Sequence, residues 1–399
     1  MDTISLILII AGIVIALIFN FSNGRNNASN AIATVVGTHA LPPRKALIIA
    51  GICCMAGPFV FSTAVAKTIG NGIVNPELFT PVLMFIGLCG SVLWVNFCSH
   101  IGIPVSSTHA LVGGIAGAGI AACGLSAVFW PTAEMLAGTG LFFLGGLAAG
   151  AIIALILALV FKEKIRLFTG LGAIIGGILA IPVAMFLGVF PSNSILAIIL
   201  FIAVSPMLGI VAAYVFTVIL TRIMVRFSKS PSKNNKWFQR LQIVGAGFQA
   251  LTIGGNDAQN AMGIIFAILV SGGLVSATSE LPLWVIVTSA FAITMGMFSG
   301  GLKVIKKVGS GITRIMPYQG FSATMTGGLV LTLMTACGIP VSTTHVAGGA
   351  IIGTGATRGA GLVNWGTVRQ MVVAWVITIP CSAIVSFLIY LIVKLIFGL

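Results

Sequence analysis

The chain has 399 residues, 58% of them hydrophobic and only 7% charged. A soluble domain is about one-quarter charged, so a soluble enzyme or binding domain is excluded. The net charge is +14, from 20 Lys and Arg against 6 Asp and Glu, but the basic residues sit in short segments between apolar stretches. In that position they set membrane orientation and do not point to nucleic acid.

The N-terminal run MDTISLILIIAGIVIALIF has no basic leader and no small-residue cleavage site, and reads as a retained first span. Apolar segments near the 20 residues needed to cross a bilayer are expected at 4–21, 46–66, 139–161, 169–189, 195–221, 283–299 and 370–396. Two glycine-rich regions, 82–122 and 320–357, read as re-entrant helical hairpins. The long stretches 4–41 and 241–274 exceed one span and carry polar residues at mid-membrane, so each is expected to be a broken helix. The polar stretch 228–240, with four basic residues and no acid, is the boundary between two halves.

The halves repeat. FSNGRNNASNAIA (21–33) matches LTIGGNDAQNAMG (251–263), and GIPVSSTHALVGG (102–114) matches GIPVSTTHVAGGA (338–350). AKTIGNGIV (66–74) echoes KKVGSGIT (306–313) between them. Three matched pieces in one order indicate internal duplication. Matched loops have opposite charge character: PPRK (42–45) is basic and SATSELP (276–282) acidic, while 67–80 is neutral and 303–314 basic. Under the positive-inside rule the halves have opposite orientations, an architecture of secondary transporters. The fold class read from the sequence is therefore an all-α integral membrane protein, an inverted-topology repeat with broken helices and two re-entrant hairpins. Residues 1–168 form the first repeat, 169–240 central spans and a basic cytoplasmic loop, and 241–399 the second repeat. The loop 228–240 is expected in the cytoplasm and both termini outside, in a cell membrane.

Polar side chains at membrane depth need protein or water to satisfy them. The first cluster is Asn20, Ser22, Asn23, Arg25, Asn26, Asn27, Ser29 and Asn30, and its partner is Thr252, Asn256, Asp257, Gln259 and Asn260. Asparagine amides can coordinate a cation, donate to an anion, or join helices. Asp257 is the one acid that falls inside a membrane segment. It can bind Na⁺, carry a proton, accept the hydrogen of a protonated oxyanion, or pair with Arg25. The hairpin tips Pro104–His109 and Pro340–His345 carry helix-start signals. Two helix N-termini with the hydroxyls of Ser106, Ser107, Thr108, Ser342, Thr343 and Thr344 can enclose a tetrahedral oxyanion, or simply cap two helices. His109 and His345 can carry protons or orient the tips. No metal-ligand spacing and no nucleophile elbow is present, and no enzyme is expected.

GGNDAQNA (254–261) resembles the GANDVANA signature of the inorganic phosphate transporter family, and NGRNNASNA (23–31) resembles its first copy. GIPVSSTH and GIPVSTTH resemble the family's paired PVS-T-TH segments, and the resemblance runs from about residue 15 to 396. It implies a symporter, often dimeric, importing phosphate with Na⁺ or H⁺ and no other cofactor. Carried over by position, Ser106, Ser107, Thr108, Ser342, Thr343, Thr344, Asn30, Asn260 and Gln319 belong to the anion site, and Arg25, a departure from the family pattern that adds a cation, is expected beside it. Asn26, Asn27, Asn256 and Asp257 belong to the coupling cation, with Na⁺ at Asn26, Asn256 and Asp257. The chain departs from the family in having Asn27, Cys54 and Thr324 where carboxylates are usual, which leaves the coupling ion open. A sulfate or related oxyanion permease on the same fold, and an anion channel, are the competing readings.

Overall fold

A computed structural model describes residues 3–66, 80–161, 165–191, 194–227, 231–276, 278–339 and 341–397. The described residues are almost entirely helical. In chain order the long helices are α1 (Thr3–Gly37), α2 (Pro43–Val60), α3 (Pro81–Ile101), α4 (Ser107–Cys123), α5 (Ala133–Phe161), α6 (Ile165–Phe186) and α7 (Ile195–Phe227). They continue with α8 (Pro231–Ser271), α9 (Leu283–Ser299), α10 (Leu302–Gly311), α11 (Pro317–Ala336), α12 (Thr343–Ala356) and α13 (Trp365–Phe397). Seven of these are long and apolar enough to cross a membrane, and the chain is a multi-pass membrane protein.

All seven apolar segments expected from the sequence fall on helices, although that over 46–66 is interrupted after Val60 and that over 169–189 ends at Phe186. The helix over 283–299 has the expected ends, whereas others run longer, such as α1 and α13. The region 82–122 is the antiparallel pair α3 and α4, and 320–357 is the pair α11 and α12. Proline at the first turn starts α3 and α11, where its missing N–H costs nothing.

Three expectations need correction. The stretches 4–41 and 241–274 are not broken: α1 is continuous over 35 residues and α8 over 41. Their polar residues bond within the helix and to neighbours, as when Ser22 donates to Ile18 O and Ser29 to Asn26 O, so no backbone group has to be released. The breaks lie elsewhere. The chain bends by 77° between α9 and α10 at Gly300–Gly301, and α2 ends at Val60 before helix resumes at 64–66. Second, 303–314 is not a loop for most of its length. It is the amphipathic α10, with Val304, Ile305 and Val308 buried while Lys303 and Lys306 are exposed. Third, 228–240 is helical from Pro231 onward, because α8 at about 60 Å is far longer than a bilayer core and begins beyond it. Residues 67–79, 228–230, Ala277 and Pro340, used above for loop charge and tip position, lie outside the described residues.

Close backbone approach fixes the centre. At Gly24 a Cβ would lie 2.0 Å from Ile293 O, and at Gly254 one would lie 2.0 Å from Cys54 O. The two contacts correspond: the signature helix of each half lies directly against the helix that follows in the other half, α1 on α9 and α8 on α2. Each hairpin packs its tip helix on a long outer helix, α4 on α13 and α12 on α7.

Candidate functional site

The tip helices α4 and α12 start at the centre of the molecule. Ser106 and Ser342 are their N-caps, each accepting from the backbone N–H of the histidine three residues on, at 3.2 Å (His109) and 3.3 Å (His345). Both caps, and Ser107, Thr108, Thr343 and Thr344, are buried. Beyond the caps, the free N–H groups of two helix first turns face a common interior.

The asparagines of α1 and α8 tie these tips together, and they do so twice in the same pattern. Asn26 Nδ2 donates to Val105 O in the tip of its own half at 2.7 Å, and Asn256 Nδ2 donates to Val341 O at 3.2 Å. Asn30 Nδ2 reaches across to Thr344 Oγ1 of the other half at 3.0 Å, and Asn260 Nδ2 reaches to Thr108 Oγ1 at 3.0 Å. Ser99 donates to Asn26 Oδ1 at 3.4 Å and Thr335 to Asn256 Oδ1 at 3.1 Å. The tips also touch directly, Thr344 Oγ1 lying 3.1 Å from Val105 O. One asparagine position holds the tip of its own half and the next turn of the same helix holds the tip of the other.

The two halves diverge at one pair. Asp257 is 1% exposed and accepts at Oδ2 from Asn27 Nδ2 (2.5 Å) and Thr343 Oγ1 (2.9 Å), and at Oδ1 from Asn256 Nδ2 (3.0 Å). Three donors offset part of the desolvation that burial imposes on a carboxylate. The matching position is Asn27, which donates to Asn23 Oδ1 as well and accepts at Oδ1 from Asn26 and Asn30. The hydroxyl matching Thr343 is Ser107 Oγ, which is buried and has no partner among the described residues, as has Asn260 Oδ1. Buried polar atoms without a partner are rare in folded proteins and call for an explanation.

Thus Asn26, Asn27, Asn30, Asn256, Asp257, Asn260 and the six tip residues named from the sequence are gathered into one buried cluster. Two residues are not. Arg25 is exposed, and Asp257 takes its described hydrogen bonds from Asn27, Asn256 and Thr343 instead. Gln319 is buried at the base of the second hairpin, accepting from Met316 N and donating to Thr354 O at 2.7 Å. That contact lies ten residues, about 15 Å, along α12 from Thr344. The histidine rings face each other with centroids 4.9 Å apart, and His345 lies 4.3 Å from Trp375. Neither ring nitrogen of His345 has a described partner, so its side chain does not orient the tip by hydrogen bonding. The sequence reading missed Ser99 and Thr335, which hold Asn26 and Asn256. Their signal was present: each lies seven residues before the N-cap of its tip, in both copies.

For a cation, the cluster offers Asp257 and amide oxygens, a hard-oxygen set suited to Na⁺. Among the described residues no three His, Cys, Asp or Glu gather in a transition-metal arrangement. A buried, two-sided set of helix N-termini, hydroxyls and amides at the centre of a multi-pass helical protein defines a membrane protein with an internal site for a small polar solute. The model of the phosphate transporter family matches residues 23–171 and 168–386, and the chain belongs to that family. It is 35% identical to a probable low-affinity inorganic phosphate transporter of Rhizobium meliloti (strain 1021), over 97% of each chain. It is 35% identical to one of Bacillus subtilis (strain 168), over 99% of each. A solved structure described as the sodium-dependent phosphate transporter superposes with a TM-score of 0.67 at 26% identity, covering 98% of this chain and 99% of that one.

Proposed function

We propose that the chain imports inorganic phosphate by symport with Na⁺ or H⁺, holding the anion between the tips of α4 and α12. The observation that carries this reading is the doubled tie of both tips to the signature asparagines around Asp257, with Ser107 Oγ and Asn260 Oδ1 left unpaired. Helix N-termini and hydroxyls supply donors for an oxyanion from two sides. Asp257 selects its protonation: phosphate near neutral pH still carries a hydrogen that a carboxylate accepts, whereas sulfate carries none and is repelled. The symport partner is set by the same carboxylate, and the sodium-dependent relative supports Na⁺.

Alternating access follows from the way the tips are held. Each tip is bound by asparagines of both halves, so movement of one hairpin relative to the signature helices opens the cluster on one side while the other remains closed. The matched loop charges support opposite orientation of the halves, the hairpins re-entering from opposite faces, and a basic face in the cytoplasm. The resemblance to the family supports a homodimer.

Uptake of radiolabelled phosphate into proteoliposomes under imposed Na⁺ or H⁺ gradients tests the proposal. Accumulation above equilibrium that resists unlabelled sulfate is expected, and the gradient that drives it names the coupling ion. Equilibration without accumulation identifies a channel. Competition by sulfate identifies a broader oxyanion permease.

A further inference from the structure

At one end of α7 a cleft of about 620 Å³ opens between that helix and the base of the second hairpin. Arg222 and Arg226 of α7 line it together with Arg358, from the turn after α12, and the hydroxyl residues Thr221, Tyr318 and Thr357. Among the described residues no carboxylate lines the cleft, so three guanidinium groups share one space. Arg358 Nη1 makes only a long 3.5 Å contact to Arg314 O, which leaves most of its donors for another acceptor. Arginine forks pair with phosphate oxygens two at a time, and hydroxyls beside them complete such a site.

The same cleft has an apolar wall. Val218 and Val225 line it, and Val225 is 79% exposed. Ile219 and Ile223, on the adjoining face of the same turns of α7, are also exposed and apolar. The cleft therefore straddles the boundary between lipid tails and the basic end of the helix. A free ion would use only the arginines, whereas a phospholipid would use both surfaces.

The arginines are not a by-product of the internal repeat. Gly113 and Gly117 of α4 approach Ile379 O and Ala383 O of α13, as Gly349 and Gly353 of α12 approach Pro206 O and Ile210 O of α7. This equates α7 with α13 at a shift of 173 positions (206 to 379, 210 to 383). At the matching places stand Leu395 on α13 for Arg222, and Ala122 and Val82 on the first hairpin for Arg358 and Tyr318. No arginine stands at any matching place, and Lys394, in the place of Thr221, is the one basic residue there, so the cluster of three arginines belongs to one hairpin alone.

We propose that this cleft binds the phosphate group of an anionic membrane phospholipid, with its acyl chains along the Val218 and Val225 flank of α7. The bound lipid would bridge α7 to the base of the hairpin whose tip forms the internal site.

Native mass spectrometry of the full-length protein, after incubation in micelles with phosphatidylglycerol or phosphatidylcholine, reads lipid retention directly. Phosphatidylglycerol should be retained in preference. Each of R222Q, R226Q and R358Q should weaken retention roughly fivefold, and the triple change on the order of 100-fold, at about 1 kcal/mol per basic residue. The control R44Q/K45Q/R369Q, elsewhere on the surface, should retain the lipid. Unchanged retention in the triple variant, or equal retention of phosphatidylcholine, overturns the proposal. Displacement of phosphatidylglycerol by millimolar inorganic phosphate also overturns it and marks a free-anion site. If the triple variant does not fold, the single variants carry the same comparison. The readout is lipid retention, so the result does not depend on whether the protein transports phosphate.

Discussion

Asp257 is where the two otherwise matched halves part. Its three donors, Asn27, Asn256 and Thr343, would each lose a charged acceptor in Asp257→Asn, and hydrogen bonds to charged groups are worth about 1.5–3 kcal/mol. Phosphate uptake by that variant should fall at least about tenfold while the protein remains monodisperse, since even one such bond exceeds 1.4 kcal/mol. Ser107 and Thr343 occupy matched positions with different duties. Thr343 holds Asp257, whereas Ser107 Oγ is unpaired. Ser107→Ala should therefore leave thermal stability unchanged and raise the KM for phosphate roughly fivefold or more, the loss expected of one hydrogen bond. Thr343→Ala should lower both stability and uptake, and equal effects of the two changes would contradict the asymmetry. Asn27→Asp sets a second carboxylate against Asp257. Like charges at this distance demand a cation or a proton between them, so Na⁺ dependence of uptake should steepen, as initial rates over a Na⁺ series would measure.

At the scale of elements, glycine decides how the signature helices pack. Gly24 and Gly254 meet the backbone carbonyls of Ile293 and Cys54, so an added methyl can be housed only by moving a helix. Gly24→Ala and Gly254→Ala should each cost about 1–3 kcal/mol, as overpacked cores do. Gly140 and Gly145 of α5 meet nothing within 4 Å, and alanine there should be neutral or slightly stabilising through helix propensity. Thermal unfolding in detergent compares the four. The elements also show where sequence reading fails. Polar residues in a long apolar stretch suggested broken helices at α1 and α8. The structure keeps both whole because their amides find partners on the tips and on each other. The bend falls instead at Gly300–Gly301, where the sequence already ended the 283–299 span.

At the scale of the molecule, the hairpin bases report orientation. Cys123 ends α4 and Arg358 follows α12, at corresponding places in the two halves. If the halves are inverted, a membrane-impermeant maleimide should reach Cys123 from the outside of intact cells. It should reach cysteine at position 358 only after the membrane is opened, in a background lacking the other cysteines. Labelling of both from one side would contradict the inverted arrangement.

The sequence by itself determined the membrane class, the helices, the repeat and most of the residues that gather at the centre. Hydropathy and duplicated motifs are local properties, and spans near 20 residues and a motif copied at a fixed spacing survive without knowledge of contacts. It could not determine which asparagine holds which tip, that Gln319 and Arg25 stand outside the cluster, or where the long helices stay straight. Those depend on pairs hundreds of residues apart, such as Asn30 with Thr344 and Asn260 with Thr108. Only the tertiary packing brings such pairs within hydrogen-bond distance, and only that distance separates a residue of the central cluster from one that merely shares its motif.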